Sequence, residues 1–275
     1  MIPAAVEYRR AGSVDEALAL LAADPDTTKL LAGGHSLLPL MKLRLAAPAT
    51  LVDVGRIADL RYVREDGDHV AVGALTRHRD LEVSEVARAY APLLAHVAGQ
   101  VGDPQVRHRG TIGGSLAHGD PASDLPAAVL ALGGTLVVQG RGGTREVPAD
   151  EFFRGFLETA LGPDEMLTEI RVPKSTAGWS FQKFNRRAQD WAIVGVAAVV
   201  GDISRVALVN MGSTPLRARA VEEALSAGAG PAEASARASD GLEPPSDLHA
   251  STEYRSHLAT VLVRRALEDA AASRG

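Results

Sequence analysis

Leu31-Ala32-Gly33-Gly34-His35-Ser36-Leu37-Leu38-Pro39 is the stretch around which the chain is organised. Two adjacent glycines end an apolar run and are followed by two small polar residues and a second apolar segment. A glycine pair permits positive φ and lets another group approach where a Cβ would stand. Successive N–H groups in such a turn form a concave nest for an anion. The same grammar returns in Gly110-Thr111-Ile112-Gly113-Gly114-Ser115-Leu116, again running into Ser-Leu. Each could be an ordinary tight turn. Together they read as two loops closing on one phosphate-bearing ligand.

Working outward, Ser13-Val14-Asp15-Glu16 is a capping box, and Val14, Ala17, Leu18 and Leu21 then share one helical face. Residues 28–32 read as a short buried strand feeding the first glycine pair, 37–44 as a short helix and 50–54 as a second strand. The first glycine turn thus falls at the carboxyl end of a strand, where ligands bind in sheets of this kind. Residues 69–74 alternate as a strand, and 84–101 have helical spacing broken by Pro92. A buried helix over 125–132, a hairpin of 135–138 with 144–147, a short helix over 149–154 and a strand over 165–172 follow. After Pro173 the texture changes to three closely spaced strand candidates, 179–185, 192–200 and 205–210. Helices are expected over 216–226 and 253–272, with a loop or poorly formed helix between them.

The composition limits the chemistry. The 275 residues are 46% hydrophobic and 23% charged, enough for a sizeable core. A net charge of -5 argues against a nucleic-acid partner. With no cysteine, the chain can form no disulfide, thiolate zinc site, cysteine nucleophile or iron–sulfur ligation of its own. The opening residues lack the pattern of a signal peptide, and no apolar run reaches the ~20 residues of a membrane span. A cytoplasmic protein is expected. Neither the Rossmann nor the P-loop fingerprint occurs, and no metalloprotease motif or nucleophile elbow is present. His118, Asp120 and Asp124 could be imagined around a metal, but polar capping of a loop explains them equally, and no metal site is assigned. What remains is a pyrophosphate held by backbone N–H groups, with Ser36, Thr111 and Ser115 adding hydroxyls and Asp124 suited to a sugar hydroxyl.

Ala32-Gly33-Gly34-His35-Ser36-Leu37-Leu38-Pro39 and Arg109-Gly110-Thr111-Ile112-Gly113-Gly114-Ser115-Leu116-Ala117-His118-Gly119-Asp120-Pro121-Ala122-Ser123-Asp124 resemble the two signature loops of the FAD-binding medium subunit of molybdenum hydroxylases, of the carbon monoxide dehydrogenase and xanthine dehydrogenase type. The opening, with Tyr8 before Ser-Val-Asp-Glu-Ala, is similar to that family's start. Lys183-Phe184-Asn185-Arg186-Arg187-Ala188-Gln189-Asp190-Trp191-Ala192 resembles the motif at the head of its C-terminal domain.

The resemblance implies an α+β fold. A two-part FAD-binding region of the vanillyl-alcohol-oxidase type would occupy 1–173, with subdomains of about 1–57 and 58–173, and a small domain of antiparallel sheet plus helices would occupy 177–275. It implies non-covalent FAD, with Ala32, Gly33, Gly34, His35, Ser36 and Leu37 in the first loop and Thr111, Ile112, Gly113, Gly114 and Ser115 in the second wrapping the cofactor. Asp124 would hold a ribose or ribityl hydroxyl, Leu167 would pack on the cofactor, and Lys183 would stand near the flavin pyrimidine edge, with Trp191 where some members carry tyrosine. No residue of this chain is expected to act as a general acid or base. Electrons would enter from the [2Fe-2S] clusters of a small partner subunit, fed by a molybdenum cofactor in a large partner, in a dimer of heterotrimers. The alternatives are a stand-alone flavin oxidase or reductase of the same fold and a non-catalytic nucleotide-binding assembly protein.

Overall fold

The computed structural model describes residues 2–273; Met1, Arg274 and Gly275, at the outer ends of the two expected domains, lie outside the described residues. The first unit comprises β1 (Glu7–Arg10), α1 (Val14–Ala23), β2 (Thr28–Leu31), α2 (Leu37–Lys42) and β3 (Thr50–Asp53). Its strands form a parallel sheet in the order β1-β3-β2. Ser13 caps α1 by accepting the Glu16 amide, and Glu16 returns a carboxylate to the Gly12 amide at 2.7 Å. Strand β1 carries no periodic signal, since all four of its residues are exposed. It is held by backbone pairing to β3 and by the Tyr8 hydroxyl on Asp53.

The second unit runs from β4 (Val63–Asp66) and β5 (His69–Gly73) through six helices: α3 (His78–Val83), α4 (Glu85–Tyr90), α5 (Pro92–Gln100), α6 (Pro104–Arg107), α7 (Ile112–His118) and α8 (Asp124–Leu132). It closes with β6 (Thr135–Gly140), β7 (Gly143–Pro148), α9 (Ala149–Phe152), β8 (Phe153–Gly155), β9 (Glu158–Thr159) and β10 (Met166–Pro173). Five strands pair antiparallel in the order β4-β5-β10-β6-β7. The expected helix over 84–101 divides into α4 and α5 at Pro92, which opens α5 because its missing N–H is harmless in a first helical turn.

The third unit is an antiparallel sheet of β11 (Gly178–Phe184), β12 (Val194–Val200), β13 (Arg205–Val209) and β14 (Leu216–Arg217), with α10 (Arg219–Ser226), α11 (Pro231–Ser235) and α12 (Thr252–Ala272). The expected helix at 216 starts three residues late because Leu216 and Arg217 pair with β13 instead. One turn of helix, α11, forms within the stretch expected to be irregular.

Strand β12 explains how the units join. Val194, Val196 and Ala198 pack with Leu258, Leu262 and Val263 of α12, while Ala197 and Val199 belong to the core that contains α8. A strand buried on both faces needs an unbroken apolar run, which Val-Gly-Val-Ala-Ala-Val-Val supplies. Helix α8 is buried along its whole length, as its Leu-Pro-Ala-Ala-Val-Leu-Ala-Leu sequence requires. Among the described residues no helix is long and apolar enough to cross a membrane.

A polar network ties the third unit to the second. Arg217 donates to both Glu222 oxygens at 2.9 and 2.7 Å and to Asp150 of α9 at 2.8 Å, while Glu222 also accepts the Val206 amide at 2.8 Å. Glu222→Ala leaves Arg217 and that amide without their buried partner, so the expected destabilisation is about 3 kcal/mol. Denaturant midpoints check this, with Glu268→Ala at the exposed Arg264 pair leaving the midpoint nearly unchanged.

Candidate functional site

The first glycine loop leaves β2 and turns at Gly34, whose φ is +79°, before α2 begins. Among the described residues, the amides of Gly33, Gly34, His35, Ser36 and Leu37 donate to no protein acceptor. Five consecutive open donors at a left-handed turn form the concave nest that the sequence suggests.

The second loop differs from the expectation of a second glycine turn. Gly113 and Gly114 lie in the first turn of α7, capped by Thr111, whose hydroxyl accepts the Gly114 amide at 3.1 Å. The Ile112 amide goes to the Thr76 carbonyl at 3.0 Å and the Gly113 amide to Ala74 at 2.9 Å. The His78 amide in turn donates to Gly110 at 3.0 Å, so residues 74–78 form a template along which residues 110–113 are laid. Ala74 itself is placed by β10, through its amide on the Thr168 carbonyl at 2.9 Å, where the strand register shifts between Leu167 and Glu169. A bulge beside a site is a common means of re-aiming backbone. The amides of this loop are therefore already engaged. Glycine is needed at 113 for closeness, since a Cβ there would lie 2.5 Å from that of Ala74.

The two loops touch. A Cβ on Gly33 would collide with the Arg109 carbonyl oxygen and lie 2.9 Å from Gly110 Cα. Beneath them opens a cleft of about 650 Å³, within the usual size of a cofactor site. Of the fourteen residues expected at the site, thirteen line it. Ile112 does not, because its side chain is wholly buried in the core under α7. Leu167 lines the floor while packed in the same core. The Ser115 hydroxyl lies 2.7 Å from that of Ser123.

Asp124 and Lys183, assigned separate roles by resemblance, meet directly. Lys183 Nζ donates to Asp124 Oδ2 at 2.6 Å and to the Gln100 carbonyl at 3.0 Å. Their side chains are 6% and 9% exposed respectively. Burial raises the Asp124 carboxyl above its ordinary range, against the pull of the Lys183 charge. Asp124 Oδ1 has no partner. A buried acceptor left open beside a ligand-sized cleft suits a ligand hydroxyl.

Local sequence did not point to His78. It lines the cleft, its Nδ1 has no partner, and its Nε2 would stand 2.6 Å from a Cβ at Gly110. Burial, with the charges of His35 and Arg107, lowers its pKa to about 4. The sequence carried no signal for it, because His78 stands within the polar run Thr76-Arg77-His78-Arg79-Asp80. Of the three residues considered for a metal, Asp120 accepts the Ala122 amide at 2.9 Å, capping its own loop, and Asp124 is taken by Lys183. Among the described residues no group of three or more His, Cys, Asp or Glu could hold a metal ion.

Known proteins resemble this arrangement over its whole length. The profile of the FAD-binding domain in molybdopterin dehydrogenase matches residues 4–175, and that of the CO dehydrogenase flavoprotein C-terminal domain matches 179–270. The carbon monoxide dehydrogenase medium chain of Hydrogenophaga pseudoflava is 44% identical, covering 98% of both chains. A solved carbon monoxide dehydrogenase structure from that organism superposes with a TM-score of 0.94 over 99% of both chains. Quinoline 2-oxidoreductase from Pseudomonas putida 86 gives 0.92 at 32% identity, covering all of both chains. The chain belongs to the family of FAD-binding medium subunits of the carbon monoxide dehydrogenase and xanthine dehydrogenase type. Its class is that of an oxidoreductase: an FAD-carrying electron-transfer subunit of a molybdenum hydroxylase. These likenesses do not favour a stand-alone oxidase or a non-catalytic assembly protein.

Two outcomes are expected at this site. Gly33→Ala pushes the loops apart and weakens FAD binding by at least about tenfold, the equivalent of a mild overpacking penalty. Gly142→Ala, where a Cβ meets nothing within 4 Å, leaves it unchanged in the same flavin-fluorescence titration. His78 stays neutral in the fold from its ordinary value of 6.5 down to about 4, while the unfolded chain takes up a proton across that window. Stability therefore falls as pH falls through it, by about 3 kcal/mol. His78→Gln removes this part of the slope in denaturant midpoints measured across that range.

Proposed function

We propose that the cleft between the two glycine segments holds FAD non-covalently and that the chain relays electrons through it. The carrying observation is that five open amides, Gly33 to Leu37, and one open buried acceptor, Asp124 Oδ1, line the same cleft. The residues thus fit both a pyrophosphate and a hydroxylated chain. When bound, FAD supplies the isoalloxazine, which accepts and passes on electrons.

The protein's part is to bind, orient and tune. The amides of the loop after β2, with Ala32 and the Ser36 hydroxyl, hold the pyrophosphate. Thr111, Gly113, Gly114 and Ser115 shape the opposite wall, Thr111 by capping α7 and the glycines by admitting close packing. Asp124 accepts a ribose or ribityl hydroxyl on Oδ1 while Oδ2 stays on Lys183. Leu167 excludes water from one side of the cofactor. Lys183 places a cation near the flavin pyrimidine edge, moderated by Asp124. The flavin-binding region spans 1–173 and the C-terminal domain 177–275. The partners are a large subunit carrying the molybdenum cofactor and a small one carrying two [2Fe-2S] clusters, arranged as a dimer of heterotrimers in the cytoplasm.

Co-expression with the neighbouring subunits tests this reading. The purified complex is expected to show flavin absorbance, to release FAD into the supernatant on acid precipitation, and to have its flavin reduced by substrate only when both partners are present. Absence of flavin, or flavin reduction by substrate in the isolated chain, would overturn the relay; flavin retained on the precipitate would overturn non-covalent binding.

A further inference from the structure

A second, smaller cleft of about 280 Å³ adjoins the first, and Asp190 and Trp191 line both. Three arginines line it, Arg186, Arg187 and Arg255, together with the acids Asp190 and Asp247. Arg187 is held by Asp190 at 3.1 Å and Arg255 by Asp247 at 2.8 Å. Arg186 has no hydrogen-bond or ion-pair partner among the described residues. The cleft therefore keeps one uncompensated positive charge, with His249 beside it.

Arg255 is the informative residue. It is 1% exposed, placing one nitrogen on the Ile193 carbonyl and another on Asp247, yet its Nε–H finds no acceptor. An exposed arginine needs no partner, but an open donor on a buried guanidinium marks a place where an acceptor is missing. Trp191, which also lines the cleft, is 59% exposed and offers an aromatic face.

We propose that this cleft is a second binding site, for a small planar molecule carrying a carboxylate or phosphate group. The oxyanion lies toward Arg186 and Arg255, whose fork geometry suits such groups, and the ring lies against Trp191. The volume is that of about nine waters, too large for a bare phosphate and suited to a substituted ring. Binding here does not depend on the flavin reading, because none of Arg186, Arg187 and Arg255 lines the larger cleft.

The chain has two tryptophans, so its two indole N–H resonances can be assigned with Trp191→Phe and followed by NMR in the full chain. Phenyl phosphate, benzoate and inorganic phosphate are titrated at constant ionic strength. The Trp191 resonance is expected to shift saturably while that of Trp179 stays fixed, with phenyl phosphate binding about tenfold more tightly than inorganic phosphate. Arg186→Ala, an exposed and unpaired position that leaves the fold intact, is expected to weaken binding by about fivefold or more. Benzoate equal to phenyl phosphate supports the site with a carboxylate as its ligand; weaker benzoate supports it with a phosphate. Absence of saturation, or an unchanged response in Arg186→Ala, overturns the proposal. So does a response lost in Ser36→Ala and kept in Arg186→Ala, which places the anion in the larger cleft.

Discussion

Asp124 and Lys183 share a nearly water-free contact at 2.6 Å, and the arrangement of the molecule turns on it. A carboxylate or an ammonium taken out of water alone is strongly disfavoured; the two become tolerable together, with the Gln100 carbonyl accepting a further hydrogen bond from the lysine. One partner opens α8 in the second unit and the other sits near the end of β11 in the third. The pair therefore adds a polar tie, beside the cleft, to the apolar packing of β12 and β13 on α8 that joins the C-terminal sheet to the second unit. It also leaves a single carboxylate oxygen uncommitted beside the cleft.

The glycine segments divide their labour. The first presents backbone donors, while the second presents smoothness: its amides are bonded inward and its glycines admit Ala74 and the capping Thr111. Gly33 joins the two, because the Arg109 carbonyl lies where its side chain would be. A phosphate group between such walls meets directed N–H groups on one side and a shaped surface on the other. That asymmetry suits an extended ligand, whose orientation must be set along its length.

Much of this was legible in the sequence, and what was not has physical reasons. The capping box, the Pro92 break and the apolar run of β12 are local signals and gave the right elements. Gly113-Gly114 reads as a turn because glycine is a poor helix former; it is helical here because Thr111 caps it and residues 74–78 hold its backbone, while packing against Ala74 leaves no room for a side chain at 113, the last two being tertiary facts. Strand β1 is Glu-Tyr-Arg-Arg, all exposed, and is held by backbone pairing and by the Tyr8 hydroxyl on Asp53, not by an apolar face. The meeting of Asp124 with Lys183 spans 59 positions, and no spacing rule reaches so far. His78 looked like any other member of the polar run from Thr76 to Asp80 until burial set it apart. The loops that carry the family likeness could be named in advance, but their contact through Gly33 could not.

Helix α8 is enclosed on every side, partly by strands β12 and β13 that come more than sixty residues later. In a chain made from its amino end, domains tend to fold as they emerge. This one cannot finish its first two units that way. Until residues 194–209 have left the ribosome, one flank of α8 faces water, and until Lys183 docks, Asp124 has no counter-charge. The cleft is thus completed late in synthesis, and a chain truncated before that point exposes an oily helix to chaperones and proteases, with no cofactor site to show for it.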